Sequence, residues 1–389
     1  MQGAAFEKQA QELDRQDSLA SFQNRFVRDE NVIYLDGNSL GRLPLKTVDI
    51  LEKTIRHQWG NRLVRSWNEH WLDLSQRIAA KIANLIGAQP DEVFIGDSTS
   101  VNLYKLAYGA LSYASNKTKI LTDDLNFPSD LYILQGLIAN HFPDMQLDII
   151  KSHNGIDLTP EAIEEKLSFD TALVCLSQVA YKSAYLYPMQ DITHRIHKHG
   201  ALALWDLSHS AGAVPIDVKT ADIDLAVGCT YKYLNGGPGA PAFCYVKKEL
   251  QKEIKNPICG WFGHRDPFAF TPSYQPSDSI SQFGTGTPGI LSLAAVEPGV
   301  DCLLEAGMTN LRVKSVKQSR FFLELYDALL EQEGFSLGSP RKDTARGSHI
   351  TLQHPEGYRI TRAMIEPRDG SKSIIPDFRP PDHIRLGIA

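Results

Sequence analysis

Two side chains in the stretch 204–239 are suited to carbonyl chemistry. Asp206 closes an apolar run, 201–205, that reads as a buried strand, and Lys232 comes three residues after the next such run, 225–229. Directly after the lysine comes a glycine-rich turn, Asn235 to Gly239. In an open α/β sheet, ligands gather beyond the carboxyl ends of the strands, so both side chains are expected at one edge. An amine placed there condenses with an aldehyde, and a carboxylate one strand away keeps a ring nitrogen protonated. A pyridoxal cofactor needs this pair: the lysine to form the imine, the acid to make the pyridine ring an electron sink. A lone Asp or Lys is more often a solvated loop residue; the placement of both at strand ends is what gives the pair meaning.

Two further segments suit the same kind of ligand. Gly96 to Asn102 lies between a strand-like Val93–Ile95 and a helix, so its hydroxyls and free backbone N–H groups form a phosphate seat or, equally, a simple Ser/Thr cap. In Phe127 to Asp130, Pro128 stiffens the chain and Ser129 caps a helix; the phenyl ring is placed either to stack on a flat ring or to fill core.

The elements that must position these residues alternate. Strands are expected at 119–122, 146–151, 171–177, 201–205 and 225–229, with helices at 100–112, 129–139, 160–167 and 188–198, and an antiparallel return strand at 242–247. Apolar strands separated by helices argue for a mainly parallel α/β sheet. Ahead of them, 4–30 reads as polar helix, 31–35 as extended, and 45–87 as mostly helical, with Ile78, Ile82, Leu85 and Ile86 forming an apolar stripe. Beyond Pro288 the pattern changes to a long helical region, 291–333, a strand at 349–353 and a helix near 361–365, expected to form a smaller α+β domain. The expected division is therefore 1–45 as an N-terminal helix and extended segment packing with the small domain, 46–290 as the large domain, and 291–389 as the small one.

Seven segments, in order along nearly the whole chain, resemble the kynureninase family of fold-type-I pyridoxal-phosphate enzymes, within the aminotransferase class-V-like superfamily: Tyr34–Gly41, Asp97–Leu103, Phe127–Asp130, Trp205–His209, Tyr231–Asn235, Gly260–His264 and Ile384–Leu386. The resemblance implies a mainly parallel seven-stranded sheet with helices on both faces, pyridoxal 5'-phosphate as cofactor, and a homodimer with the active site at the subunit interface. It makes Lys232 the Schiff-base lysine and Asp206 the partner of the ring nitrogen, with His209 near the cofactor and Phe127 stacked on it. Thr99, Ser100, Ser129, Asp130, Ser177, Tyr231, Trp261 and Thr287 match further cofactor contacts, Trp261 and Thr287 reaching across from the neighbouring subunit. Arg385 matches the arginine that grips the substrate α-carboxylate, a task a guanidinium fork suits; Asn38, Ser39 and Gly286 match the substrate side, and Tyr231 is also a proton donor. The implied reaction is hydrolytic Cβ–Cγ cleavage of L-kynurenine or its 3-hydroxy derivative. The Gly286-Thr287 pairing resembles the bacterial type, which leans towards kynurenine. Family members normally continue past residue 389 through a further helix, so the resemblance implies a longer small domain.

Other readings fit less of the chain. Gly37 to Gly41 formally matches a nucleophile elbow at Ser39, but the preceding strand is short and Pro44 interrupts the segment where the elbow's helix would begin, so a loop near the substrate is the better reading. His194 and His197 share a helix face without an evident carboxylate or cysteine partner, which favours an exposed face over a metal site. A cysteine desulfurase or transaminase-like enzyme shares the Asp–Lys pair, but a desulfurase needs a mobile reactive cysteine, and only Cys259 sits in a plausible loop. A cofactor-free binding protein would not need both Asp206 and Lys232. The net charge of −6, scattered along the chain, contains no basic stripe for nucleic acid. The start has no apolar h-region, and no stretch approaches the ~18 apolar residues of a membrane span. The odd count of five cysteines, without a Cys-x-x-Cys pair, suggests reduced core thiols and a cytoplasmic protein.

Overall fold

A computed structural model describes residues 2–388. Along the chain it contains β1 (Val32–Tyr34), β2 (Val93–Ile95), β3 (Lys119–Asp123), β4 (Gln146–Ile150), β5 (Thr171–Ser177), β6 (Leu202–Asp206), β7 (Leu225–Gly228) and β8 (Phe243–Val246). Strands β2 to β8 form one sheet of seven in the order β2-β8-β7-β6-β5-β3-β4, parallel except for β8, which runs against both neighbours.

Two cores sandwich this sheet, and strand periodicity explains which residue joins which. On β5, Val174 and Leu176 enter one apolar cluster while Leu173 and Cys175 enter the other; on β6, Ala203 and Trp205 part from Leu204 in the same way. The first cluster is covered by α3 (Leu74–Ile86), α7 (Met189–Lys198) and α8 (Ile290–Ala306), the second by α4 (Thr99–Tyr113) and α5 (Pro128–His141). The remaining helices are α1 (Gln2–Arg15), α2 (Leu45–Lys53), α6 (Pro160–Glu164), α9 (Met308–Leu325) and α10 (Gly357–Ile365). By the same alternation Asp206 points with Leu204 and Cys175, towards the N-termini of α4 and α5.

A second sheet, in the order β12-β13-β10-β9, is antiparallel and joins β12 (Asp377–Arg379), β13 (His383–Gly387), β10 (His349–Gln353) and β9 (Ser336–Leu337). Leu352, Ile384 and Leu386 of this sheet pack with Tyr326 in a small core. The opposite face therefore carries His349, Thr351, Arg385 and Gly387, paired His349 to Gly387 and Thr351 to Arg385. β1 runs parallel to β11 (Ser373–Ile375), which ties the N-terminal segment to the C-terminal one.

Three long helical expectations are broken in the structure. The expected helix 4–30 stops at Arg15, where the Asp17 carboxylate takes the Leu19 N–H and so competes with helix continuation; a short 3-10 turn, Ala20–Arg25, comes next. The region 45–87 divides into α2, the π-type turns Thr54–Arg62 and Trp67–Trp71, and α3, with Leu63 in the left-handed region at φ +56°. The long C-terminal helix is cut at Gly307, whose φ of +78° only glycine adopts without strain.

Candidate active site

The carboxyl edge of the large sheet gathers most of the side chains singled out from the sequence. Ser177 and Asp206 end adjacent strands in direct register. Lys232 lies past the end of β7, with its Nζ 3.2 Å from Nε2 and 3.4 Å from Nδ1 of His209. The ring centres of Tyr231 and Phe127 stand 5.8 and 5.9 Å from the same nitrogen. The Asp206 carboxylate accepts the Ser208 N–H at 2.8 Å, which locks the turn carrying His209. On the other side, Ser177 donates to Asn126 Oδ1 at 2.6 Å, and Asn126 takes the Phe127 N–H at 2.9 Å, which aims Phe127 and α5 at the site.

The electrostatics are set by burial. Asp206 and Asp130 are both buried, and desolvation raises each carboxyl; the Asp206 charge pushes Asp130 further, well above the ordinary range. Asp130 is thus the member of the pair that holds a proton more readily, and its Oδ2 has no hydrogen-bond partner among the described residues. Burial, together with the charges on Lys232 and Arg385, holds His209 far below its usual value, so it is a neutral imidazole. Burial raises the Tyr231 phenol, which keeps its proton at neutral pH.

The N-termini of α4 and α5 converge in front of this cluster. Thr99 opens α4, Ser98 caps it, and Ser100 Oγ meets Ser129 Oγ at 2.8 Å; Ser129 is not the cap expected of it but the second residue of α5, whose capping position falls at Phe127 because Pro128 already takes the first helical place. Two helix starts with paired hydroxyls are suited to hold an anion. They open on a cavity of about 1250 Å³ that is also lined by Tyr231, Gly286 and Thr287. Trp261 is not brought to Lys232: its ring packs on Phe262 and stacks with Phe270, and 38% of the residue is exposed. These features fit pyridoxal phosphate: an amine, the buried carboxyl of Asp206 that a cationic ring nitrogen would satisfy, two helix starts suited to a phosphate, and the Phe127 ring.

The residues expected on the substrate side include one from the far end of the chain. Arg385 is fully buried and its fork is already engaged: Nε donates to Asp377 at 2.5 Å, one terminal nitrogen to the Tyr181 carbonyl at 2.6 Å, and the other to Ser39 Oγ at 3.0 Å while pairing with Asp377. Asn38 is buried against Gly387, where a Cβ would overlap its amide oxygen. Gly41 approaches the Lys232 turn as closely: its N–H donates to the Tyr231 carbonyl at 2.8 Å, and a Cβ would collide with the Lys232 carbonyl and Asn235. Gly41→Ala is therefore expected to destabilise the protein by about 1–3 kcal/mol, as overpacking typically does, and to displace Lys232; a lowered melting temperature with reduced activity checks this.

Several contributors were missed from sequence. Lys105 is fully buried on α4, paired with Asp97 and donating to the Phe283 carbonyl at 2.8 Å, while Thr285 Oγ1 meets Asp97 at 3.3 Å. Asp97 itself sits at φ +52°, so this clamp joins the strained turn before α4 to the loop bearing Gly286 and Thr287. His349 and Asp377 were likewise unseen. On α7, His197 does have carboxylate partners, Asp224 at 2.8 Å and Asp222 at 3.5 Å, so the expectation of a face without them is corrected. They come from a turn 25 residues on, and no cluster of three metal-binding side chains occurs among the described residues.

The aminotransferase class-V family model matches residues 33–363. Kynureninase of Pseudomonas fluorescens is 43% identical over 381 residues, which cover 97% of this chain and 89% of that protein. The chain belongs to the kynureninase family. Kynureninase of Burkholderia mallei (strain SAVP1) is 40% identical over 386 residues, 98% of this chain and 90% of that one. Solved structures share the fold at lower identity. A variant of C-DES with glycine covalently linked to its PLP cofactor gives a TM-score of 0.80 at 17% identity, covering 94% of each chain. A cysteine desulfurase from Thermococcus onnurineus NA1 gives 0.77 at 18%, covering 97% of this chain and 92% of that one. Within the family, the desulfurase reading loses its footing, and Cys259 is the one exposed thiol among the five cysteines. No helix among the described residues is long and apolar enough to cross a membrane.

The pair Asp130–Asp206 makes a measurable prediction for cofactor-free protein. A carboxyl whose pKa is raised by folding carries no penalty below the unfolded value, and a full one above the folded value. Stability is therefore expected to fall as pH rises out of the ordinary carboxylate range. Asp130→Asn removes that titration, so between about pH 4 and about pH 8 its melting temperature should gain on the parent's. Equal pH slopes by scanning calorimetry would show that Asp130 is already ionised in the fold.

Proposed function

We propose that this chain binds pyridoxal 5'-phosphate through Lys232 and hydrolyses the Cβ–Cγ bond of L-kynurenine, giving anthranilate and L-alanine. The observation that carries the reading is the Lys232 amine at a strand-end turn, beside buried Asp206 and in front of the Ser100–Ser129 hydroxyl pair, in a chain of this family. When bound, the cofactor supplies an electron sink conjugated to the substrate's α-carbon.

The remaining work falls to the chain's own residues. Asp206, fixed by the Ser208 N–H, would hold the ring nitrogen of the cofactor in its protonated form. Ser100, Ser129 and Thr99 would hold the phosphate, and Ser177 and Asp130 would complete the contacts. The Lys232 amine would take the substrate's α-proton. Neutral His209 lies against Lys232 without competing for protons, which the burial of its ring supports. Tyr231 keeps its phenolic proton and donates it to the carbon released when the bond breaks. Water adds its oxygen to the side-chain carbonyl, which leaves as the anthranilate carboxyl, and Cβ becomes the alanine methyl. Arg385 receives the α-carboxylate near Ser39 and Asn38. Open space beside Gly286 supports an aryl group there, and the Gly286-Thr287 pairing, which resembles the bacterial type, supports a preference for the unhydroxylated ring.

The proposal includes a cytoplasmic homodimer. Trp261, Phe268 and Phe270 form an exposed aromatic face, and Ile55, Trp59, Leu63 and Val64 are exposed as well, which supports burial against a second copy with Trp261 and Thr287 reaching its cofactor. Fluorescence assay for anthranilate from L-kynurenine, run beside 3-hydroxykynurenine and L-cysteine, tests the reading. Release of sulfur from cysteine without anthranilate formation would overturn it.

A further inference from the structure

His349 opens β10 and shares its face of the small sheet with Thr351 and Arg385. Its imidazole is fully buried, yet neither ring nitrogen has a hydrogen-bond partner among the described residues. Leaving a buried polar group idle costs about 1–3 kcal/mol. The Tyr181 and Lys182 carbonyls stand beside it, each already accepting one hydrogen bond, from Arg385 and from the Thr351 hydroxyl, and neither meets the ring with hydrogen-bond geometry. On its other side the ring stands 5.9 Å from the ring of His209. Burial, with the charges of Arg385 and Lys232, holds it down to about 3, so it is neutral and carries one N–H.

The arginine beside it is short of donors. Nε, one N–H of a terminal nitrogen and both of the other are engaged by Asp377, Tyr181 and Ser39, which leaves a single N–H for an incoming ligand. A carboxylate brings two oxygens. Ser39 is only partly buried, so water can satisfy its hydroxyl; His349 has no such recourse. Resting on the reading that Arg385 receives the α-carboxylate, we propose that His349 donates the second hydrogen bond to that carboxylate, so that the two form a composite seat on one face of the small sheet.

The test uses holoenzyme and L-alanine, which carries the carboxylate and amine but no aryl ketone. Alanine affinity is read from the change in the cofactor's visible spectrum. His349→Phe keeps the ring's bulk without a donor and is expected to weaken alanine binding and raise KM for L-kynurenine about 10- to 100-fold, the range for a hydrogen bond to a charged group, with kcat within about threefold. His349→Gln restores a donor and should recover most of the loss, which a purely structural role would not allow. If the Phe variant does not fold, His349→Asn, too short to reach, makes the same comparison against Gln. Unchanged alanine affinity overturns the proposal, as does a loss confined to kcat or to cofactor affinity. Should the parent bind alanine but fail to cleave kynurenine, the functional reading fails while the alanine comparison still decides the role of His349.

Discussion

Replacing Lys232 with alanine is expected to lower kcat/KM for L-kynurenine by roughly 10³-fold or more while leaving the fold intact. Positioned proton transfer alone contributes about 10²–10⁴-fold, and here the same amine also anchors the cofactor, so both are lost together. Stability should hardly move. Lys232 is half-buried, forms no ion pair among the described residues, and its Nζ hydrogen-bonds only with the neutral ring of His209, beside the rings of Tyr231 and Phe127. The measurements are turnover, loss of the visible band of the lysine-bound cofactor, and thermal unfolding. A variant that retains the band would place the imine on another lysine and remove the basis of the proposed chemistry.

The second large effect is expected at Arg385. Truncating one member of a buried, hydrogen-bonded charge pair costs about 2–5 kcal/mol, or roughly 30- to 5000-fold in affinity. Arg385→Met should reduce kcat/KM by that order, chiefly through KM, and should weaken alanine as well as kynurenine. It also leaves Asp377 with Arg379 alone, at 2.9 Å, so some loss of stability accompanies it. Arg385→Lys should fall between, because a compact ammonium cannot serve Asp377, Tyr181 and Ser39 together. If both ligands bind the Met variant as the parent binds them, the carboxylate seat lies elsewhere.

The strand ends and the turns after them are written in the amino-acid sequence. Asp206, Lys232, Ser129 and the Ser98 cap are announced by neighbours within a few residues: an apolar run, a glycine-rich turn, a proline at a helix start. Local chemistry of that kind acts through backbone geometry over one or two turns, so it is legible without the fold. Which side chains stand opposite one another is settled by the packing of distant elements. His349 faces His209, and Asp377 and Tyr181 hold Arg385, because β10, β12 and β13 pair in one register and dock on the large sheet. Lys105 reaches Phe283 across 178 residues of chain. Nothing in periodicity encodes such meetings; they arise from which faces bury together, and a strand slipped by one residue would turn His349 and Arg385 away from the site.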